Sequence, residues 1–260
     1  MSASGAGQRV VVSVDEVTVR FGGIVAVDRA SIAVPAGEIR GLIGPNGAGK
    51  TTLFDTITGI RAPTSGRIEF QGDDITDRPA AWRSRHGMRR TFQRQQPFGW
   101  LSVEDNVLAA MDYHKGGGGV LGDLLGAPGR RRRERERRAT AREALERCGL
   151  SALAEESAGR LPIGKVRLLE LARAIVDEPT LLLLDEPTSG LDEVEAARFA
   201  EIVRSVRAEN ACAVLLVEHD MPFVMALCDR VTVLDLGRVI AEGTPAEVSA
   251  NELVRSAYFG

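Results

Sequence analysis

The 260-residue chain is 44% hydrophobic and 27% charged with a formal net charge of −3, values of a folded globular protein rather than a disordered or collagen-like one. No global basic field draws it to nucleic acid, and apolar runs such as LLLL at 181–184 fall far short of the roughly 20 residues of a membrane span. Its three cysteines (Cys148, Cys212, Cys228) and three histidines (His86, His114, His219) are scattered, which excludes a disulfide framework and a zinc-ligand spacing and points to a reducing cytosol.

The start MSASGAGQRV is small and polar with no apolar core, and any membrane contact is expected to be peripheral or through a partner. Alternation in VVVSVDEVTVRF (10–21) predicts a strand, and SIAVPAGEIRGLIG (31–44) predicts a strand, a tight turn and a second, more apolar strand. TTLFDTITG (51–59) predicts a helix, and TSGRIEFQGDDI (64–75) gives two short strand signals separated by turn residues. This sheet-rich portion extends to about Arg94. From Ser102 the pattern turns helical: SVEDNVLAAM, a glycine run at Gly116–Gly119, a stretch with seven arginines and two glutamates at 130–138, then ATAREALERCGL (139–150). The arginine stretch reads either as a solvated helix face or as a contact for anionic headgroups or a protein partner. RLPIGKVRLLELARAI (160–175) is a loop running into leucines at helical spacing. Past Glu178 come LLLLDEP (181–187), a helix over Glu193–Glu209, the strand AVLLVEHD, the helix MPFVMALC and the strand pair RVTVLDLGRVIAEG. Strands alternating with helices imply βαβ units and a parallel sheet.

The strongest chemical signal is Gly44-Pro45-Asn46-Gly47-Ala48-Gly49-Lys50-Thr51, followed by Thr52. Glycines let backbone N–H groups wrap phosphates without Cβ clashes, and the following helix N-terminus adds a positive dipole end. Lys50 is positioned to reach the β and γ phosphates, and the Thr51 hydroxyl to hold Mg²⁺. The second signal is the buried strand ending in Asp185 and Glu186, which suit a magnesium-shell ligand and a group that orients or deprotonates the attacking water.

These ordered motifs resemble those of the ATP-binding subunits of ABC transporters, over about Val11 to Gly260. The resemblance implies an α/β fold of the P-loop ABC ATPase type: a mixed, mainly parallel sheet core, an antiparallel β subdomain and a helical subdomain. It implies one domain over 1–260, with the core and β subdomain at 11–99 and 179–260 and the helical subdomain at 100–178. It also implies ATP hydrolysis with ATP and Mg²⁺ as cofactors. At matching positions Phe21 resembles the aromatic that stacks on adenine. Gln93 resembles the glutamine that senses Mg²⁺ and water. Ser189-Gly190-Leu191-Asp192 resembles the D-loop, and His219 the switch histidine that contacts the γ-phosphate. Plain structural alternatives stand beside these: Phe21 as a core aromatic, Gln93 as a surface amide, Asp192 as a helix cap, His219 as a satisfied strand-end histidine.

Leu161-Pro162-Ile163-Gly164-Lys165 occupies the place of the family's signature, usually LSGGQ, which reaches across a head-to-tail dimer to the partner's nucleotide. Only the leucine and Gly164 survive. Pro162 offers neither hydroxyl nor N–H, Lys165 adds a positive charge, and the helix dipole is retained. The departure therefore bears on the partner's site.

RFGGIVAVD, the insertion from about Tyr113 to Ala139, VEHDM and the ending AEGTPAEV…VRSAYFG resemble the ATPase subunits of branched-chain amino acid importers; urea-import and lipopolysaccharide-export ATPases share the layout. The partners implied are a second ATPase subunit, identical or paralogous, two transmembrane permeases and, indirectly, a solute-binding protein, with no nucleic acid. The place implied is cytoplasmic, peripheral on the inner face of the membrane. Alternatives are an ATPase of a urea or lipid system, a soluble ABC ATPase without a permease, and a nucleotide-binding scaffold with poor turnover. QQPFGWLS (95–102) concentrates Phe98 and Trp100, either as an anchor for a permease helix or as a satellite cluster under a loop.

Overall fold

A computed structural model describes residues 9–91, 97–115 and 130–259; the glycine run at 116–119 lies outside these. The elements are β1 (Val10–Phe21), β2 (Ile24–Pro35), β3 (Ile39–Ile43), α1 (Lys50–Ile57), β4 (Ser65–Phe70), β5 (Asp73–Asp74), α2 (Ala80–Arg85), β6 (Met88–Arg90), α3 (Val103–Lys115), α4 (Arg130–Arg147), α5 (Ile163–Ile175), β7 (Leu181–Asp185), α6 (Glu193–Asn210), β8 (Ala213–Val217), α7 (Met221–Leu227), β9 (Arg230–Asp235), β10 (Arg238–Gly243), α8 (Pro245–Ala250) and α9 (Glu252–Phe259).

Two sheets form, in strand orders β2-β1-β4-β5 and β10-β9-β3-β8-β7-β6. The first is antiparallel throughout. In the second, β9, β3, β8, β7 and β6 run parallel and only β10 is antiparallel. Every residue of β3, β7 and β8 is buried, which is why these strands read as unbroken apolar runs rather than alternating ones. Alternation still sorts the layers. Leu182, Leu184, Val214 and Leu216 face a cluster with α3, α5 and α6, while Leu181, Leu183, Leu215 and Val217 face one with α1 and the antiparallel sheet. Burying each such leucine contributes about 1.5–3 kcal/mol before entropy is counted.

The helices α3, α4 and α5 pack on one another, and their junction is ionic as well as apolar. Glu104, 2% exposed in the first turn of α3, accepts hydrogen bonds from Arg138 and Arg142 of α4, both at 2.8 Å. Burial raises its pKa, but the two guanidiniums outweigh it and hold the carboxyl below its ordinary range. Along the arginine stretch Arg132 pairs with Glu136 at 2.8 Å and Arg138 with Glu134 at 3.1 Å, the i,i+4 pattern of an exposed helix face.

Besides the C-terminal helices α8 and α9, two elements were absent from the sequence expectations: α2 and β6. Both are short and rich in arginine, and one arginine carries a large part of the packing. Arg83 is 1% exposed and donates to five carbonyls: Thr56 (2.9 Å), Ile57 (2.6 Å), Ile75 (2.7 Å), Thr76 (3.1 Å) and Arg78 (2.9 Å). It thereby caps the C-terminal end of α1 and ties it to the β5–α2 connection.

Candidate functional site

Parallel register brings three strand ends to one edge. Val217 of β8 lies opposite both Leu42 of β3 and Asp185 of β7, so the loops that begin at Gly44, Glu186 and Glu218 emerge side by side at the carboxyl ends of adjacent strands. Such edges are where open α/β sheets bind ligands.

The loop 44–49 leads directly into α1. A Cβ on Gly44 would lie 2.0 Å from the Leu234 carbonyl oxygen, and one on Gly49 2.3 Å from that of Ala26, with φ at +101°. Only glycine fits either place. Ala48 is buried, its N–H bonded to the Pro45 carbonyl at 3.2 Å. The N–H groups of Gly47, Gly49, Lys50, Thr51 and Thr52 have no acceptor among the described residues. The Lys50 ammonium arches over the loop to the carbonyls of Gly44 (2.7 Å) and Pro45 (2.9 Å); burial lowers its pKa and the charge of nearby Glu186 opposes that shift. A row of unclaimed donors at a helix N-terminus beneath an ammonium fits the phosphates of a nucleotide. Asn46 and Thr51 are exposed, Pro45 and Thr52 half-buried.

Asp185 ends β7 at 3% exposure. Burial raises its pKa, and Arg90 of β6, bonded to it at 2.7 Å, opposes the rise. The same guanidinium reaches Asp55 of α1 at 2.5 Å. The next residue, Glu186, sits in the left-handed region (φ +46°), a conformation that costs a side-chain-bearing residue about 1–2 kcal/mol. Its N–H on the Val217 carbonyl (2.9 Å) and its carbonyl on the Ser189 N–H (3.2 Å) hold it there. Among the described residues no cluster of three His, Cys, Asp or Glu could hold a metal. The oxygen donors available, the Thr51 hydroxyl and the Asp185 carboxylate, fit a hard cation that keeps much of its own water, such as Mg²⁺.

Glu218, fully buried just after β8, accepts from the Thr188 N–H (2.9 Å) and hydroxyl through one oxygen, and from the N–H groups of His219 (2.8 Å) and Asp220 (3.0 Å) through the other. His219 itself is exposed, with its Nδ1 at 3.6 Å from Glu218. Asp192 caps α6 in a reciprocal capping box with Glu195 (Glu195 N–H to Asp192 at 2.8 Å). Its capping role is thus real.

In 161–165, Pro162 stands at the N-cap of α5 without a side-chain bond, Ile163 is 53% exposed and Gly164 buried. A Cβ on Gly164 would meet the Glu195 carboxylate at 2.1 Å, and one on Gly190 the Ile163 side chain at 2.9 Å; Arg167 donates to the Ser189 carbonyl at 3.3 Å. Leu168, Leu169 and Ala172 face the core. Phe21 is 42% exposed, so it is not a core aromatic; Arg61 covers its ring at 4.2 Å. A cavity of about 500 Å³ opens between α2, α3, α5 and β6, lined by Ile60, Met88, Arg90, Phe98 and Arg173 among others. Phe98 contacts Trp100, which is 81% exposed. Gln93 lies outside the described residues. The three cysteines are buried free thiols pushed up to about 12 by burial, poor nucleophiles.

The ABC transporter family pattern matches residues 27–189. The chain belongs to the ABC transporter family. Its cassette is an ATPase, and its last residues, 238–260, match the pattern of the branched-chain amino acid ATP-binding cassette transporters. It is 38% identical over 252 residues to the high-affinity branched-chain amino acid transport ATP-binding protein BraF of Pseudomonas aeruginosa, covering 97% of this chain and 98% of BraF. It is 35% identical over 234 residues to the lipopolysaccharide export system ATP-binding protein LptB of Escherichia coli, covering 90% of each. A crystal structure of an ABC-transporter cassette in its ADP conformation superposes with a TM-score of 0.83 at 31% identity, covering 96% of this chain and 99% of that one. No helix among the described residues is long and apolar enough to cross a membrane.

Sequence reasoning missed three residues that shape the cassette's site: Arg90, Thr188 and Glu218. Glu218 carried a usable signal, an acid at the end of an apolar strand directly before a histidine; Arg90 and Thr188 carried none, since their partners are 95 and 30 residues away.

Proposed function

We propose that this cassette is the ATP-hydrolysing subunit of an importer for branched-chain amino acids, paired head to tail with a second ATPase and seated on two permeases that receive solute from a binding protein. The observation that carries the catalytic part is the meeting of the 44–52 loop, Asp185–Glu186 and His219 at one sheet edge. The 238–260 match supports the solute class.

The unclaimed amides of Gly47, Gly49, Lys50, Thr51 and Thr52 and the Lys50 ammonium bind the β and γ phosphates, and Phe21 stacks on the adenine. Thr51, Asp185 and Gln93 would hold Mg²⁺, which would supply neutralisation of the phosphate oxygens. Glu186, left-handed and held by two backbone bonds, orients water and accepts its proton. His219 contacts the γ-phosphate from the adjacent loop. The N-terminus of α5 with Gly164, and Asp192 beside it, face the partner's nucleotide; Pro162 leaves that contact one hydrogen bond short. The cavity beside Phe98 and Trp100 suits a permease helix, in keeping with a cassette seated peripherally on the inner face of the membrane.

Replacing Glu186 by Gln tests the assignment. ATP turnover should fall at least about a hundredfold with nucleotide affinity within a few-fold of wild type. Unaltered turnover removes Glu186 from its role. In vesicles carrying the assembled complex, ATP-dependent uptake of leucine is expected; uptake of urea instead would replace the solute class.

A further inference from the structure

One fully buried carboxylate joins two loops that the proposed mechanism treats separately. Four donors converge on Glu218, two from Thr188 and two from the backbone of His219 and Asp220. Among the described residues no Lys or Arg pairs with it. A carboxylate offers acceptors only, at both oxygens, so one side chain can serve both loops. Glutamine cannot: its NH₂ end would face two donors and leave them unpaired. Aspartate, one methylene shorter, reaches only one side. Beyond Thr188, the same loop is fixed to α5 by Arg167 on the Ser189 carbonyl and by Ile163 against Gly190. Rigid contacts thus run from the N-terminus of α5, through 188–190, to His219.

We infer that Glu218 is a positioning residue that locks the 188–192 loop to the His219 loop, so that the imidazole is set by where the 188–192 segment sits. The inference rests on the reading of His219 as the γ-phosphate contact. Glu218 touches no nucleotide; it acts through the two N–H groups that fix the turn carrying the imidazole. Because the 44–52 loop is bonded elsewhere, ADP binding should be indifferent to the lock, whereas discrimination of ATP from ADP and turnover should depend on it.

The test uses the full-length chain with E218Q, T188V, T188S and H219A, reading kcat, KM and the affinities for ATP and ADP. T188V removes one hydroxyl and keeps the N–H, so it gives a folded variant even where E218Q is unstable. E218Q should lower kcat about tenfold or more and T188V about threefold, each with ADP affinity within about twofold; T188S should restore wild-type values. In an H219A background, T188V should leave the ATP-to-ADP affinity ratio unchanged, which a merely structural role would not produce. If H219A lowers turnover while E218Q and T188V do not, the lock is overturned and the reading of His219 stands. If ADP affinity falls in step with kcat, Glu218 is a general structural acceptor and the inference fails. H219A with wild-type turnover would overturn the reading of His219 itself, and this inference with it.

Discussion

Replacing Arg83 by methionine keeps an apolar stem of similar length and removes five hydrogen bonds. Two of the five carbonyls keep another donor, Thr56 from the Gly59 N–H and Ile75 from the Arg78 N–H. Those of Ile57, Thr76 and Arg78 lose the donor that satisfies them. A buried carbonyl left unpaired costs about 1–3 kcal/mol, a cost that falls in full on the buried Ile57 carbonyl; those of Thr76 and Arg78 are only part-buried and can turn to water. Relief of the buried guanidinium, whose pKa burial lowers to about 10, and water entering from the adjoining cavity offset part of the loss, leaving a net of about 2 kcal/mol. R83K should lose nearly as much, since one ammonium cannot reproduce the planar fork. Urea unfolding followed by circular dichroism should show a lower midpoint at unchanged slope. A loss under about 1 kcal/mol would refute the reasoning, because single unsatisfied carbonyls already exceed it.

Glu104 gives a pH dependence. Its folded pKa lies below the ordinary 4.5, so its stabilisation is complete above that value and is lost as pH falls through the folded pKa. E104Q should therefore flatten the acid side of the stability curve below about pH 4.5; an unchanged acid limb would contradict the ion-pair account. Gly164→Ala should displace the Glu195 carboxylate and break the capping box of α6, costing about 0.5–2 kcal/mol. Because E195A loses the same box, a double-mutant cycle should be sub-additive; full additivity would mean that the two residues do not meet. Gly49→Ala, aimed at the Ala26 carbonyl, should weaken nucleotide binding at least about tenfold by isothermal calorimetry.

Strands buried on both faces were plain in the sequence because nothing polar interrupts IRGLI, LLLLD or AVLLV, and the phosphate loop was plain because its glycines are dictated by local geometry. Asp185 and Glu186 followed, since that strand end announces itself by the switch from leucine to acid, whereas His219 came from the family resemblance alone. What stayed hidden depends on partners distant in the chain. Arginines in AAWRSR and MRR look solvent-facing, yet Arg83 and Arg90 are counted into the interior by carbonyls and carboxylates supplied by other elements. The Thr188–Glu218 pair is equally silent, because it exists only after β7 and β8 align.

The central claim is that the 44–52 loop grips the phosphates of a nucleotide. Titration of the full-length chain with a fluorescent ADP analogue, wild type against Lys50→Ala, tests it most directly. The wild type should bind saturably, competed by ATP, with affinity at least about thirtyfold tighter than the variant. Equal affinity of the two chains at matched stability would contradict the account.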